Sequence, residues 1–156
     1  MFRILIVGLG LLMTSTAWGE WKRAAEVAAG VFYNQDSSLV VMSATAPSRP
    51  FLGQSSYYQL NVGSWGGPYA ASFVGFAKGL QWGRSNMYVR LSSGGSLISA
   101  TSERLSTSFQ FYEQLMVHRR IGRAGVALSY RHWSNAGLKK PNLGMDFVGL
   151  QIDIDW

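Results

Sequence analysis

Apolar and polar residues alternate along much of the chain with a period of two, which is typical of β-strands that have one apolar face. The alternation is clearest in residues 24–33, 56–63, 87–92 and 150–156. It is weaker at about 38–43, 72–82, 106–118 and 123–134. These windows predict eight strands and an all-β fold. In the 106–118 window Glu113 falls on the apolar face, and the pattern offers no reason for it.

Eight such strands fit two architectures, a soluble sandwich or lipocalin-like barrel with its apolar face inward, or an outer-membrane barrel with that face outward. The charges on the polar face favour the second, because burying them in a dry core costs several kcal/mol each, whereas a membrane barrel lets them pair across its lumen. We therefore expect an eight-stranded antiparallel transmembrane β-barrel of the outer membrane. The five charged residues are Glu26, Arg90, Arg131, Asp153 and Asp155.

Both ends of the chain agree with export to that membrane. Arg3 precedes an apolar run of ten residues, 4–13, and small residues flank Trp18 at positions 17 and 19. This run is half of the ~20 residues that a membrane-spanning helix needs, so we predict a cleaved signal peptide over residues 1–19. Residues 20–156 are then a single barrel domain. Its last strand ends on Trp156, like the terminal strand of outer-membrane barrels that the barrel assembly machinery recognises.

Composition excludes several classes of protein. The chain has 156 residues, no cysteine, two histidines and a formal net charge of +6. Without cysteine there is no disulfide scaffold and no cysteine-ligated zinc or iron–sulfur site, and two histidines leave little for another metal. Eighteen glycines and 47% hydrophobic residues argue against a disordered chain and for strands joined by tight turns. We expect neither a metal nor a nucleic-acid partner.

The candidate chemistry lies near the carboxyl terminus. His132 and Ser134 have the parity of the apolar residues in their strand, and Asp146 has that of the apolar residues in the last strand. All three side chains should therefore face outward. A hairpin whose register is centred on Lys139 places His132 opposite Asp146, with Cβ atoms ~5 Å apart.

These three residues suit a serine–histidine–acid relay. Ser134 would attack an ester carbonyl, His132 would act as general base and then general acid, and Asp146 would orient the imidazole. The oxyanion needs donors as well. Asn142 is the first candidate, and a backbone N–H in the turn at 136–137, such as that of Gly137, is the second.

The segment RHWSNAGLKKPNLGMD, residues 131–146, resembles the signature of the lipid A 3-O-deacylase (PagL) family. That signature runs His, aromatic, Ser-Asn-Ala-Gly, then Pro-Asn, Gly and an acid two residues later. The resemblance implies an eight-stranded outer-membrane esterase that cleaves the 3-position ester of lipid A and releases a 3-hydroxy fatty acid without a cofactor. It favours the oxyanion role for Asn142 and a loop-shaping role for Asn135. The chain departs from the signature at Asp146, where the family has glutamate.

Other side chains near the motif have a functional and a plainer interpretation. Lys139 and Lys140 are placed to attract the phosphates of lipopolysaccharide, or they belong to a solvated loop. His118 is expected at a turn or rim rather than in catalysis. Trp133 and Trp156 are interpreted as anchors at the membrane–water interface.

Two rival functions stay open at the level of sequence. One is a membrane acyl hydrolase or transferase acting on another lipid, such as a phospholipid. The other is a non-catalytic structural barrel. In each case the surroundings are outer-membrane lipids, and the sequence leaves open whether two copies associate into a homodimer.

Overall fold

Eight antiparallel strands form a closed barrel in which each strand pairs with the next and β8 pairs with β1. The computed structural model describes residues 22–30 and 36–154. The predicted signal peptide, Asp155 and Trp156 lie outside these residues. The strands are β1 (Lys22–Gly30), β2 (Ser38–Phe51), β3 (Gln54–Trp65), β4 (Ala71–Arg84), β5 (Met87–Ile98), β6 (Phe109–Ile121), β7 (Ala124–Ser134) and β8 (Met145–Ile154).

The prediction of eight strands is confirmed, and most of the strands are longer than the windows that predicted them. β2 runs on to Phe51 through Pro47, past the window that ended at 43. β8 begins at Met145, five residues before its window. In both regions the strand keeps its pairing with the neighbouring strand although its apolar–polar alternation is weak. Prolines interrupt the alternation in β2, and inward apolar residues interrupt it in β8. No helix among the described residues is long and apolar enough to cross a membrane.

The apolar face of the strands points away from the barrel. Val27 is 65% exposed, Leu128 57% and Leu150 60%. Such a wall of exposed aliphatic side chains suits contact with lipid tails, as in a transmembrane barrel. The soluble alternative, with this face turned inward, is therefore wrong.

The lumen holds the polar face, as predicted. Glu26 and Arg131 form a fully buried ion pair, with Arg131 Nη2 2.7 Å from Glu26 Oε2. The Arg131 guanidinium also donates to Tyr112 Oη at 3.1 Å and Asn61 Oδ1 at 3.3 Å. Ser129 donates to Glu26 as well. These hydrogen bonds compensate the removal of both charges from water.

The barrel has two unlike rims. One, the turn rim, carries the two-residue turns at 52–53, 85–86 and 122–123 and the start of β1. The other, the loop rim, carries the connections at 66–70, 99–108 and 135–144. The candidate catalytic motif therefore belongs to the loop rim.

Near the loop rim an aromatic cluster fills the lumen. Trp133 is fully buried, with its ring 5.2 Å from that of Phe73, 5.5 Å from that of Trp65 and 5.7 Å from that of Phe147. The interpretation of Trp133 as an interface anchor is thus wrong. The residue has the parity of Arg131, and so it points into the lumen.

Near the turn rim the lumen holds a second histidine–carboxylate pair. His118 Nε2 lies 2.8 Å from Asp153 Oδ1, and the imidazole stacks on Tyr88 with ring centroids 4.2 Å apart. His118 is only 2% exposed. It is an interior residue rather than the rim residue predicted, because it has the inward parity of β6.

Candidate active site

The β7–β8 hairpin brings His132 and Asp146 face to face. The ladder pairs them directly, and every pair from Ala124–Ile154 to Trp133–Met145 keeps the register centred on Lys139. His132 Nδ1 lies 2.9 Å from Asp146 Oδ1. The His132 side chain is 32% exposed and that of Asp146 only 9%. A carboxylate at Nδ1 fixes the imidazole so that Nε2 is left for proton transfer.

Tyr130 gives the carboxylate a second partner. Its hydroxyl donates to the same Oδ1 of Asp146 that contacts His132. Tyr130 precedes His132 by two residues on the outward face of β7 and pairs with Val148 of β8. Tyr130 has the parity of His132 in the sequence, and a hydroxyl at that position is a signal that could have predicted the contact.

Ser134 ends β7 on the face that carries His132. Its ladder partner on β6 is Phe111, an exposed apolar residue of the outer wall. Within the described part of the chain no hydrogen bond joins the Ser134 hydroxyl to His132. Such contacts often tighten only when substrate is bound. The structure thus brings His132 and Asp146 into contact and places Ser134 beside them on one face.

The 135–144 loop is organised by Asn135, which is fully buried. Its Oδ1 accepts the Gly137 N–H at 2.9 Å, and its Nδ2 donates to the Lys139 carbonyl at 2.7 Å and to Ser106 Oγ at 2.9 Å. Ser106 Oγ also donates to the Lys139 carbonyl. The two backbone positions after Asn135 have positive φ, 49° at Ala136 and 80° at Gly137. Asn135 therefore fixes the path of the chain directly after Ser134.

The candidate oxyanion donors differ in availability. Asn142 Oδ1 accepts the Asn135 backbone N–H at 3.1 Å, which orients the amide and leaves its NH₂ group for another acceptor. The Gly137 N–H already donates to Asn135, because Asn135 closes a turn over it. The Gly137 N–H is therefore already engaged within the turn.

Gly144 supports the imidazole from the loop side. It has φ +71°, and a Cβ on it would stand 3.0 Å from His132 Cε1. The backbone N–H groups of Leu143 and Gly144 both donate to the Arg104 carbonyl, at 3.1 and 3.2 Å, and Arg104 Nη1 donates back to the Gly144 carbonyl at 3.4 Å. Arg104 itself lies 5.1 Å over the Tyr69 ring. The 99–108 loop thereby holds the segment against which His132 packs. The Arg104–Gly144 contact joins residues 40 positions apart, so no local sequence pattern predicts it.

Glu113 has a place beside the site. It is the ladder partner of His132 on β6, so Glu113, His132 and Asp146 form one row across three adjacent strands. Cross-strand neighbours have Cβ atoms ~5 Å apart. Glu113, for which the strand pattern offered no reason, therefore lies beside the polar residues of the candidate site.

The remaining predicted residues lie at the tip of the loop. Lys139 and Lys140 are both exposed, and only the Lys139 carbonyl takes part in the loop's hydrogen bonds. In the ranges that the structure describes, no group of three His, Cys, Asp or Glu side chains is arranged to hold a metal. The chemistry that this arrangement supports is proton transfer through His132 at the membrane-facing wall.

Comparison with known proteins gives concordant matches. A family model described as "Lipid A 3-O-deacylase (PagL)" matches residues 10–155. The curated protein "Lipid A deacylase PagL" of Bordetella bronchiseptica is 30% identical over 105 residues, which span 65% of this chain and 58% of that protein. The solved "Crystal structure of the outer membrane enzyme PagL" matches with a TM-score of 0.69 and 19% identity, over 86% of this chain and 99% of that one. A chain titled "De novo design of transmembrane beta-barrels" matches with a TM-score of 0.56 and 13% identity, over 85% and 93% of the two chains. The two structural matches establish the barrel fold.

Proposed function

Because the chain belongs to the lipid A 3-O-deacylase (PagL) family, we propose that it is an outer-membrane esterase that removes the acyl chain from position 3 of lipid A. The observation that carries this proposal is the His132–Asp146 pair on the outward wall, with Ser134 two residues along the same face. A histidine oriented by a carboxylate beside a serine is the arrangement that activates a hydroxyl for acyl transfer.

The reaction proceeds in two halves. Ser134 Oγ bonds to the ester carbonyl carbon while its proton passes to His132 Nε2. The bond between that carbon and the 3-oxygen then breaks, and His132 returns the proton to the departing alcohol. In the second half water gives a proton to His132 and attacks the acyl carbon. The bond from that carbon to Ser134 Oγ then breaks, His132 returns the proton to Ser134, and the 3-hydroxy fatty acid is released. Asp146 stabilises the imidazolium that forms in each half.

Two kinds of donor support the oxyanion. The Asn142 NH₂ group is the first, since its carbonyl oxygen is already held by the Asn135 N–H. The Ala136 N–H is the second. One such donor contributes roughly 3 kcal/mol to stabilising the transition state.

The position of the site accounts for a lipid substrate. His132 lies two residues from the end of β7, about 7 Å below the loop rim. A lipid whose acyl chains stay in the bilayer can therefore present its ester to His132 without leaving the membrane. Lys139 and Lys140 at the tip of the loop would attract the phosphates of lipid A from the water side.

The test is the mass of lipid A in cells. The full chain, Ser134→Ala and Ser93→Ala would be expressed in a bacterium that lacks the activity, and lipid A would be weighed by mass spectrometry. Ser93 is the control, because it is an exposed serine on the outward face of β5, two strands away from β7. We expect loss of one hydroxyacyl group with the full chain and Ser93→Ala, and none with Ser134→Ala.

Unchanged lipid A in cells that contain the folded full chain would overturn the proposal. So would deacylation that survives in Ser134→Ala. Phospholipids from the same cells would show whether lysophospholipid accumulates instead, which would assign the site to another lipid.

A further inference from the structure

Exposed positive charge is concentrated at the turn rim, the end of the barrel opposite the candidate active site. Arginine lies in or within three residues of each of its three tight turns, and the start of β1 carries a lysine. We call these six exposed cations the basic rim: Lys22, Arg49, Arg84, Arg119, Arg120 and Arg123.

Among the residues that the structure describes, few carboxylates lie near the basic rim. Among residues 22–30 and 36–154, the one carboxylate near this end is Asp153. It projects into the lumen, where it binds His118. The remaining described carboxylates belong to the lumen, to the row of the candidate site or to the loop rim. The described part of the turn rim therefore carries more positive than negative charge.

The neighbours of these arginines locate them at the membrane boundary. Arg84 follows Trp82 by two residues on the outward face of β4, and Trp82 is 37% exposed. Arg119 lies in the ladder between Met87, 57% exposed, and Val126, 38% exposed. Outward tryptophan is enriched at membrane–water interfaces, so the guanidinium groups beside these side chains lie near the level of lipid headgroups.

We propose that the basic rim binds the phosphate groups of anionic phospholipids in the leaflet at the turn rim. Guanidinium forks donate two parallel hydrogen bonds to a phosphate, and cations near a membrane surface are attracted to anionic lipid. A ring of such contacts at the turn rim, opposite the candidate active site, would set the depth and tilt of the barrel in the membrane. The proposal goes beyond the esterase function and uses none of the residues of the candidate site.

The test uses the full-length folded chain in micelles containing equal amounts of phosphatidylglycerol and phosphatidylcholine with matched acyl chains. Native mass spectrometry counts each lipid that stays bound. The wild type should retain phosphatidylglycerol preferentially. Replacing three cations, as in Arg84→Gln/Arg119→Gln/Arg123→Gln, should lower that preference at least fivefold, which is roughly the effect of losing a single basic residue near a membrane.

A charge-preserving control is Arg84→Lys/Arg119→Lys/Arg123→Lys, which should keep most of the preference. Adding inorganic phosphate at constant ionic strength distinguishes a free phosphate site from a lipid headgroup site, and we expect it to displace little phosphatidylglycerol. Far-ultraviolet circular dichroism of every variant confirms the barrel. A folded glutamine variant that retains the full preference would overturn the proposal and leave an acidic protein as the partner to examine. Displacement of the lipid by inorganic phosphate would overturn it as well.

Discussion

The carboxylate at position 146 reaches His132 although its side chain is one methylene shorter than the glutamate of the family signature. Oδ1 of Asp146 already lies 2.9 Å from His132 Nδ1, because the hairpin register places the two residues directly opposite each other. The Tyr130 hydroxyl contacts the same oxygen and restricts the rotation of the carboxylate. The shorter acid is thus compensated by the register and by a second donor.

Replacing this acid should remove most of the activity while leaving the barrel intact. Asp146→Asn keeps the shape of the side chain but loses the charge that stabilises the imidazolium, and it favours the wrong imidazole tautomer. We expect kcat to fall by roughly 10³–10⁴-fold, as in other serine–histidine–acid relays. Release of 3-hydroxy fatty acid from purified lipid A provides the rate. A loss of less than tenfold would mean that Asp146 is not the orienting acid.

At the scale of elements, the β7–β8 hairpin and the 99–108 loop build the site jointly. The hairpin supplies the face-to-face register, and its loop is pinned by Asn135 and by Arg104. Gly144 is the point where this support reaches the imidazole. Its lack of a side chain is required twice, by its positive φ and by its closeness to His132.

Gly144→Ala should therefore damage catalysis more than folding. The new Cβ would press on His132 Cε1 and turn the ring, so we expect kcat to fall by about a hundredfold with little change in KM. Gly122→Ala is the matched control, because Gly122 also has positive φ, +64°, yet has nothing within 4 Å of the added Cβ. Equal losses of kcat in the two variants would show that backbone strain alone is responsible.

The strand pattern predicted much of this element-level picture. Parity placed His132 and Asp146 outward, and the hairpin centre at Lys139 gave the observed register. It did not reveal the Arg104–Gly144 contact, since that contact joins two loops far apart in sequence. Parity also put Trp133 on the inward face with Arg131, but tryptophan as a residue type suits both a membrane interface and an aromatic core, and the interface interpretation was the wrong one. Similarly, the Gly137 N–H appeared available until the structure showed it donating to Asn135.

At the scale of the whole molecule, one ion pair connects the first and the seventh strands across the lumen. Glu26 of β1 and Arg131 of β7 are both fully buried, and Arg131 is the sequence neighbour of His132. The pair therefore braces the barrel close to the wall that carries the candidate site. Breaking it would leave an uncompensated buried charge.

Glu26→Ala should destabilise the barrel by about 3–5 kcal/mol, measured as the free energy of unfolding in urea for protein folded in vesicles. Glu26→Leu/Arg131→Met removes both charges and should recover most of this loss. If the single variant were as stable as the wild type, the pair would not be a structural brace. If the double variant were no better than the single one, packing rather than charge would explain the effect.

An alkyl fluorophosphonate, which reacts with activated serines, shows whether Ser134 on the outer wall is the nucleophile. The full chain would be treated with the reagent, assayed for lipid A deacylation, and mapped by peptide mass spectrometry. We predict that activity falls in proportion to a single phosphonyl adduct on Ser134, and that His132→Ala forms the adduct far more slowly. Undiminished deacylation by protein whose Ser134 is fully labelled would show that Ser134 is not the nucleophile. Inactivation with the adduct on another residue would show the same.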